Sequence, residues 1–227
     1  SGSLGEGWSD FTSLWLYQKP TDGKYDAYPV GNYVLGWPPS GPGIRRFPYS
    51  FDMTIDPLTL GNYNGGYPNN EVHNAGELWA SVLWDINWLL IDRRGYDPDL
   101  YNGTAGNNLA MRLILEGMKL TPLNPTFIDG RDAILAADMA LTGGQNQYDL
   151  WTAFARRGWG LSASTPDADS DVVVEAFDMP PISPPGTVIL GPQLFAVRPN
   201  DGDLLTRDAL TVLDVSPREM RFLFKGG

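Results

Sequence analysis

The sequence predicts a mainly α fold with long loops, followed by a linker and the start of a β-module. Apolar residues recur at helical spacing in five segments before residue 163. The chain of 227 residues contains 26 Gly and 19 Pro, which indicates long, turn-rich connections between these helices. Beyond residue 163 Asp and Pro become frequent and short β-type runs appear, so a second kind of structure is expected there.

The predicted helices follow one another along the chain, and each is closed by helix-breaking residues. The first covers residues 3 to 18 and ends before Pro20, after which a loop-rich stretch continues to residue 70. The longest covers residues 70 to 93, carries a wide apolar stripe and is stopped by Gly95. Three shorter helices are predicted over residues 106–118, 127–141 and 146–157.

The C-terminal part of the chain is predicted to differ from the helical part. Residues 1–163 form the helical lobe, residues 164–187 a Pro- and Asp-rich linker, and residues 188–227 a truncated β-module. Both ends of the chain have the character of cuts in a longer protein, so we expect the module to be the beginning of an Ig-like β-sandwich. Its predicted strands are Val188–Leu190, Leu194–Val197, Leu210–Leu213 and Met220–Phe224.

Composition excludes several classes of protein. The formal net charge of -11 argues against nucleic acid as a partner, because a phosphate-binding face needs clustered Lys and Arg. The chain has no Cys, which excludes a disulfide framework and a Cys-based zinc site within it. No run approaches the roughly 20 apolar residues of a membrane span, so none is expected.

Two carboxylates of the first helix are candidates for chemistry. Glu6 and Asp10 are four residues apart, so their side chains project from one face of the helix. The alternative is a capping box formed with Ser3, in which Glu6 only reaches back to the start of the helix. The spacing itself leaves both interpretations open.

His73 and the Arg45-Arg46 pair are further candidates. His73 is the single histidine of the chain and lies near the start of the longest helix. A lone histidine is more often a structural residue, and it cannot build a zinc site alone because zinc takes three or four protein ligands. Paired arginines are usually a solvated surface, although a bidentate grip on a carbonyl or carboxylate is the alternative function.

Three acidic residues alternate in the predicted linker. Asp167, Asp169 and Asp171 have the ligand type that Ca²⁺ prefers, but the Gly and the distal Glu of an EF-hand loop are missing. We therefore interpret them first as a solvated linker and second as a calcium site.

Seven sequence motifs follow one another along the first part of the chain. They are Gly5-Glu-Gly-Trp-Ser-Asp-Phe11, Phe47-Pro-Tyr-Ser-Phe-Asp-Met53, Val72-His-Asn-Ala-Gly-Glu-Leu-Trp-Ala80, Gly106-Asn-Asn-Leu-Ala110, Gly117-Met-Lys-Leu-Thr-Pro122, Asn124-Pro-Thr-Phe-Ile-Asp-Gly-Arg-Asp-Ala-Ile-Leu135 and Trp151-Thr-Ala-Phe-Ala-Arg-Arg-Gly158. Together they resemble the fungalysin family of secreted, thermolysin-like (gluzincin) zinc metallopeptidases. The resemblance covers roughly residues 4 to 163, and the number of motifs in the same order makes it specific.

The resemblance implies a thermolysin-like helical lobe and specific roles for its residues. Glu6 matches the third zinc ligand, and Asp10 matches the carboxylate that orients a ligating histidine. His73 matches the histidine that stabilises the oxyanion formed during peptide hydrolysis. Arg45 is the better match for the arginine that holds a substrate carbonyl, although Arg46 remains open. The aromatic loops between residues 25 and 68 are expected to line the cleft for a protein or peptide substrate.

One departure from the family pattern matters most. The His-Glu-x-x-His motif is absent, so two zinc ligands and the general-base glutamate are expected from an upstream N-terminal part of the same protein. We expect one zinc ion shared with that part, and no activity from this chain alone. The alternative is a degenerate or processed peptidase lobe that serves as a structural module of an extracellular or cell-surface multidomain protein.

Overall fold

Five α-helices and two short 3-10 helices make up the first part of the computed structural model. It describes residues 2–184 and the backbone of residues 210–215 and 220–224. The mainly α prediction is confirmed for the first of these parts, and the helix ends differ from the predicted ones by only one or two residues. The helices are α1 Gly2–Tyr17, α2 Val72–Arg94, α3 Gly106–Leu120, α4 Phe127–Thr142 and α5 Gln147–Arg156, with 3-10 helices η1 Asn32–Leu35 and η2 Leu60–Tyr63.

The helix α2 forms the centre of this lobe. Every residue from Ala75 to Trp88 is buried, and α1, α3 and α5 all pack against it. The sequence predicts an apolar stripe on this helix, whereas the structure buries it on all sides because neighbouring helices cover it. Its polar residues must therefore find partners inside the protein.

The buried Asp85 of α2 is neutralised by Arg157, which follows α5. Arg157 Nε and Nη2 donate to the two carboxylate oxygens at 2.8 and 3.1 Å, and both residues are fully buried. The remaining donors of this guanidinium bind backbone carbonyls of Ser50, Asp56 and Leu58. The pair thus fixes the loop that precedes η2 against the central helix.

Residues 164 to 182 pack against the helical lobe. The backbones of Ser164 and Val174 pair with each other, Val173 is buried, and the Glu175 carboxylate accepts hydrogen bonds from Thr59 and Gly61 at the start of η2. The structure accordingly divides into compact units Ser1–Ile182 and Ser183–Gly227. The predicted limits of the lobe, the linker and the β-module stay a prediction. The contacts described above show in addition that much of the predicted linker packs against the lobe.

Two antiparallel strands are described in the second unit. They are β1, Leu210–Val215, and β2, Met220–Phe224, and their register shifts between Val212 and Asp214. They correspond to the predicted runs 210–213 and 220–224. The predicted strands at 188–190 and 194–197 lie outside the described residues, so the Ig-like β-sandwich stays a prediction.

Candidate functional site

The helices α1 and α2 cross with their backbones in contact. A Cβ added at Gly76 would lie 2.6 Å from the Cβ of Glu6, and one added at Gly7 would lie 2.5 Å from the carbonyl oxygen of Gly76. Only glycine at both positions permits this approach, since any side chain would overlap the other helix. The crossing therefore places Glu6 beside the first turn of α2.

The carboxylate of Glu6 faces two nitrogen donors at the edge of this crossing. Its Oε2 atom lies 3.6 Å from His73 Nε2 and 3.6 Å from Arg45 Nη2, and the side chain is 36% exposed. Ser3 is the second residue of α1, so it cannot cap that helix from outside as the alternative interpretation required. Glu6 instead presents an accessible carboxylate between a histidine and an arginine.

Asp10 lies one helical turn beyond Glu6 and is held by three donors. Arg45 donates to it through Nε at 2.6 Å and Nη2 at 2.9 Å, and the Tyr49 hydroxyl also donates to it. The hydrogen bonds to Asp10 raise the pKa of Arg45, and burial, followed by the Asp10 charge, raises the pKa of Tyr49. These bonds fix the orientation of the carboxylate.

Tyr49 is a site residue that the sequence analysis misses. Its side chain is fully buried, and its hydroxyl reaches α1 across 39 positions of the chain. The only signal was its place inside the Phe47–Met53 motif, where the sequence shows no reason to separate Tyr49 from its aromatic neighbours. The partner of its hydroxyl is visible only in three dimensions.

His73 is positioned by Glu71, which the sequence analysis also misses. The two side chains meet at 2.7 Å between His73 Nδ1 and Glu71 Oε1, while Glu71 Oε2 accepts from the backbone N–H of His73 at 3.0 Å. Glu71 is thus the N-cap of α2, which explains why the helix begins at Val72 and not at residue 70. The hydrogen bond from His73 lowers the pKa of Glu71.

Arg46 has a different partner from Arg45. Its Nε donates to Glu77 at 2.6 Å and its Nη2 donates to the carbonyl of Asn74 at 2.6 Å. Glu77 is buried in α2, which raises its pKa, and it also accepts from the backbone N–H of Phe47. Arg46 therefore fastens the loop to α2, whereas Arg45 faces the carboxylates of α1.

The hydrogen bonds of the Asp167 and Asp171 carboxylates involve none of the residues of this site. Asp167 accepts from the backbone N–H of Asp169, and Asp171 accepts from the Asn70 side chain at 2.7 Å. Across the described residues, no three His, Asp or Glu side chains are grouped as a bound metal ion requires. The calcium interpretation of these residues stays a prediction.

The arrangement fits zinc in one respect. Glu6 offers a partly exposed carboxylate beside a donor-lined edge, which is a ligand type that zinc accepts. A zinc site needs at least three protein ligands, and the part of the chain that the structure describes holds no group of three or more His, Asp or Glu side chains placed to bind a metal ion. The described residues thus do not form a zinc site by themselves.

None of the helices that the structure describes is both long enough and apolar enough to span a membrane. The expectation of secretion, which the family resemblance implies, depends on the relatives of the chain.

The carboxylate of Glu6, the ring of His73 and the guanidinium of Arg45 thus meet at one edge of the helical lobe. The model of the fungalysin metallopeptidases, family M36, matches residues 1–163. The match covers most of the chain, and the chain therefore belongs to this family. The resemblance found in the sequence is confirmed.

Fungal extracellular metalloproteinases are similar to most of the chain. The extracellular metalloproteinase mep of Aspergillus fumigatus is 45% identical over 169 residues, which are 72% of this chain and 26% of that protein. Extracellular metalloproteinase 10 of Uncinocarpus reesii is 44% identical over 169 residues, again 72% and 26%. The extracellular metalloproteinase mep of Aspergillus terreus is 42% identical over 186 residues, 79% of this chain and 28% of that protein. The chain thus spans about a quarter of the length of these curated relatives.

Proposed function

We propose that this chain is the helical lobe of a secreted zinc metalloendopeptidase, to which it supplies the third zinc ligand and an oxyanion-stabilising histidine. The observation that carries the proposal is the α1–α2 crossing, which brings Glu6 Oε2 to 3.6 Å from His73 Nε2. The family and the printed names of the relatives, which are extracellular metalloproteinases, support secretion and peptide substrates.

Glu6 and Asp10 have distinct roles in this proposal. Glu6 holds the metal together with two histidines of a His-Glu-x-x-His motif from upstream sequence. A bound zinc ion supplies polarisation of the scissile carbonyl and a lowered pKa of water. Asp10 Oδ1 accepts only one of the bonds from Arg45, so it retains a lone pair for the ring N–H of a ligating histidine.

His73 acts on the substrate oxygen. A carboxylate can only accept, so the proton of the contact with Glu71 lies on His73 Nδ1. Nε2 therefore donates when the ring is an imidazolium, and its target is the carbonyl oxygen as that oxygen gains negative charge. One such donor contributes about 2.7–4 kcal/mol of transition-state stabilisation.

Arg45 is the substrate-binding arginine in this proposal, and Arg46 is not. Nε and Nη2 of Arg45 hold Asp10, whereas Nη1 has no hydrogen-bond partner within residues 2–184. Its N–H groups are thus available for a peptide carbonyl next to Glu6. The donors of Arg46 that the structure records are engaged by Glu77 and by the backbone of α2.

Two substitutions in the full-length parent protein test these roles. Glu6→Ala should empty the zinc site and abolish hydrolysis together. His73→Ala should leave zinc bound and reduce kcat/KM by about two to three powers of ten, mainly through kcat. Zinc content by mass spectrometry and peptide hydrolysis rates check both. Normal activity of His73→Ala would make His73 structural, and loss of zinc would make it a ligand.

The second candidate is a degenerate or processed peptidase lobe that serves as a structural module of a multidomain protein. The observation in its favour is that the described residues contain no group of three or more His, Asp or Glu side chains that could hold a metal ion. An intact His-Glu-x-x-His motif upstream in the parent reading frame would exclude the degenerate form. Its absence would exclude the peptidase.

A further inference from the structure

The loop between α2 and α3 carries an acceptor sequence for N-linked glycans. Asn102-Gly-Thr104 has the pattern Asn-x-Ser/Thr in which the middle residue is not Pro. It is the one such triplet among the 227 residues, because Asn124-Pro-Thr126 is excluded by its Pro. The chain therefore contains one triplet that is competent for glycan attachment and one that is not.

The structure exposes the residues that glycan attachment requires. Asn102 and Thr104 are both exposed and lie outside helices and strands. The side chain of the preceding Tyr101 is 94% exposed, so the loop faces solvent on this side as well. A glycan is bulky and is accommodated only at a surface. The folded loop thus has room for a glycan at Asn102.

The side chain of Asn102 can carry a sugar and still hold the loop together. Its Nδ2 donates to Asp99 Oδ2 at 3.2 Å, and its backbone N–H donates to Asp99 Oδ1 at 2.9 Å. A side-chain amide has two N–H groups. Attachment of a sugar replaces one of them, and the other remains for Asp99. The loop conformation is therefore compatible with the modified residue.

The loop lies at the opposite end of α2 from the candidate site. His73 is in the first turn of α2, whereas the loop follows Arg94 at its last turn. A helix of 23 residues is about 34 Å long. The helix α1 runs in the same direction, because Glu6 lies beside the first turn of α2 while Trp15 donates to the carbonyl of Asn107 just beyond the loop. A glycan here is far from the edge at which the proposed zinc site is completed.

We infer that Asn102 is an N-glycosylation site of the secreted protein. Its Nδ2 forms a bond to the anomeric carbon of an oligosaccharide, and the bond from that carbon to the diphosphate of a lipid carrier breaks. The diphosphate leaves with the electron pair, and a base of the transferase takes the Nδ2 proton. The Thr104 hydroxyl completes the sequence that the transferase recognises. The inference rests on the secretion included in the proposed function, and it is independent of zinc binding and hydrolysis.

The test uses the full-length parent protein, secreted by yeast behind a yeast secretion signal. Trypsin releases peptide 95–112, which also contains Asn107 and Asn108 outside any acceptor triplet. Peptide-N-glycosidase in heavy-oxygen water then removes the glycan and converts its acceptor Asn to Asp carrying one heavy oxygen. Mass spectrometry should find this label at Asn102, and not at Asn107, Asn108 or Asn124. A digest incubated without the glycosidase corrects for spontaneous deamidation of Asn102-Gly103.

Substitutions within the triplet separate glycan attachment from chemistry of the Asn-Gly pair. Thr104→Ala keeps Asn102-Gly103 but removes the hydroxyl, so it should lose the glycosidase-dependent label and migrate faster on a denaturing gel. Thr104→Ser keeps a hydroxyl and should retain the label. Asn102→Gln should lose the glycan and hydrolyse peptides as the unchanged parent does, because the loop is remote from the site.

Two results would overturn the inference. One is a secreted parent whose Asn102 carries no glycosidase-dependent label, and the other is an equal label at Asn102 in the Thr104→Ala variant. Failure of the proposed function gives a different pattern, because a parent that carries the glycan but neither holds zinc nor hydrolyses peptides would refute the peptidase and support the glycosylation site.

Discussion

At the scale of single residues, two carboxylates one turn apart differ because their partners differ. Glu6 has donors only at 3.6 Å and stays accessible, whereas Asp10 accepts bonds from Arg45 and Tyr49. An accessible carboxylate suits a metal ligand, and a carboxylate held on several sides suits the orientation of another group. The identity of the side chain alone predicts neither role.

Asp10→Ala in the full-length parent should lower zinc affinity about 10- to 100-fold, as loss of a group that orients a ligand typically does. Tyr49→Phe removes only one of the bonds that hold Asp10, so its effect should be smaller and in the same direction. Competition with a chromogenic chelator measures both. If Asp10→Ala keeps full zinc affinity and activity, Asp10 serves only to hold Arg45.

Glu71→Ala should lower kcat by about one to two powers of ten with zinc retained, because His73 loses the carboxylate that orients it. The variant should also be less stable than the unchanged chain, since Glu71 caps α2. Thr126→Ala is the matched control, because Thr126 caps α4 through the N–H of Asp129. The control should lose similar stability in urea unfolding while its kcat stays normal. Equal kcat values for the two variants would refute the orienting role of Glu71.

At the scale of elements, the site depends on how closely α1 approaches α2. Gly7 and Gly76 remove the side chains that would separate the two backbones. The loop carrying Arg45 is then fastened to the same helix through Arg46 and Glu77. Three segments that are distant in the sequence thereby meet at one edge.

Gly76→Ala should destabilise the chain by about 1–3 kcal/mol, because the added methyl overlaps Glu6 and the α1 backbone. Gly5→Ala is the control in the same helix pair, since a Cβ at Gly5 meets nothing within 4 Å. That exposed helix position should gain up to about 1 kcal/mol from the better helix propensity of Ala. Urea unfolding measures both free energies. A Gly76→Ala chain as stable as the unchanged chain would mean that the helices can separate without cost.

At the scale of the whole molecule, residues 164–182 belong structurally with the helical lobe. Val173 is buried beside η2, and Asn64 binds its backbone through both the N–H and the carbonyl. The alignment with the Aspergillus terreus relative covers 79% of the chain, whereas the family model matches residues 1–163 and ends earlier. Both observations favour a lobe longer than the composition change indicates.

A chain that ends at residue 163 should therefore be less stable than one that ends at residue 182. The expected loss is about 2–3 kcal/mol, from the burial of Val173 and the hydrogen bonds of Glu175. Thermal unfolding followed by circular dichroism compares the two chains. Within the longer chain, Val173→Ala should be destabilising and the exposed neighbour Val172→Ala neutral. Equal melting temperatures of the two chains would support the boundary at residue 163.

The sequence by itself determined the helices and the family. Apolar spacing and helix-breaking residues are local signals, so they predicted α1 to α5 within one or two residues. Seven ordered motifs indicated fungalysin without any knowledge of contacts, and they also indicated Glu6, Asp10, Arg45 and His73 as candidates.

Only the tertiary structure decided which partners those candidates have. The contact of Tyr49 with Asp10, the separate partners of Arg45 and Arg46, and the Gly7–Gly76 contact join positions 28 to 69 residues apart. Glu71 is near His73 in the sequence, but its role as the N-cap of α2 can be recognised only once the helix is known to begin at Val72. Such pairings depend on how packed helices exclude water and on which buried polar groups must be satisfied, and neither condition can be read from a local pattern.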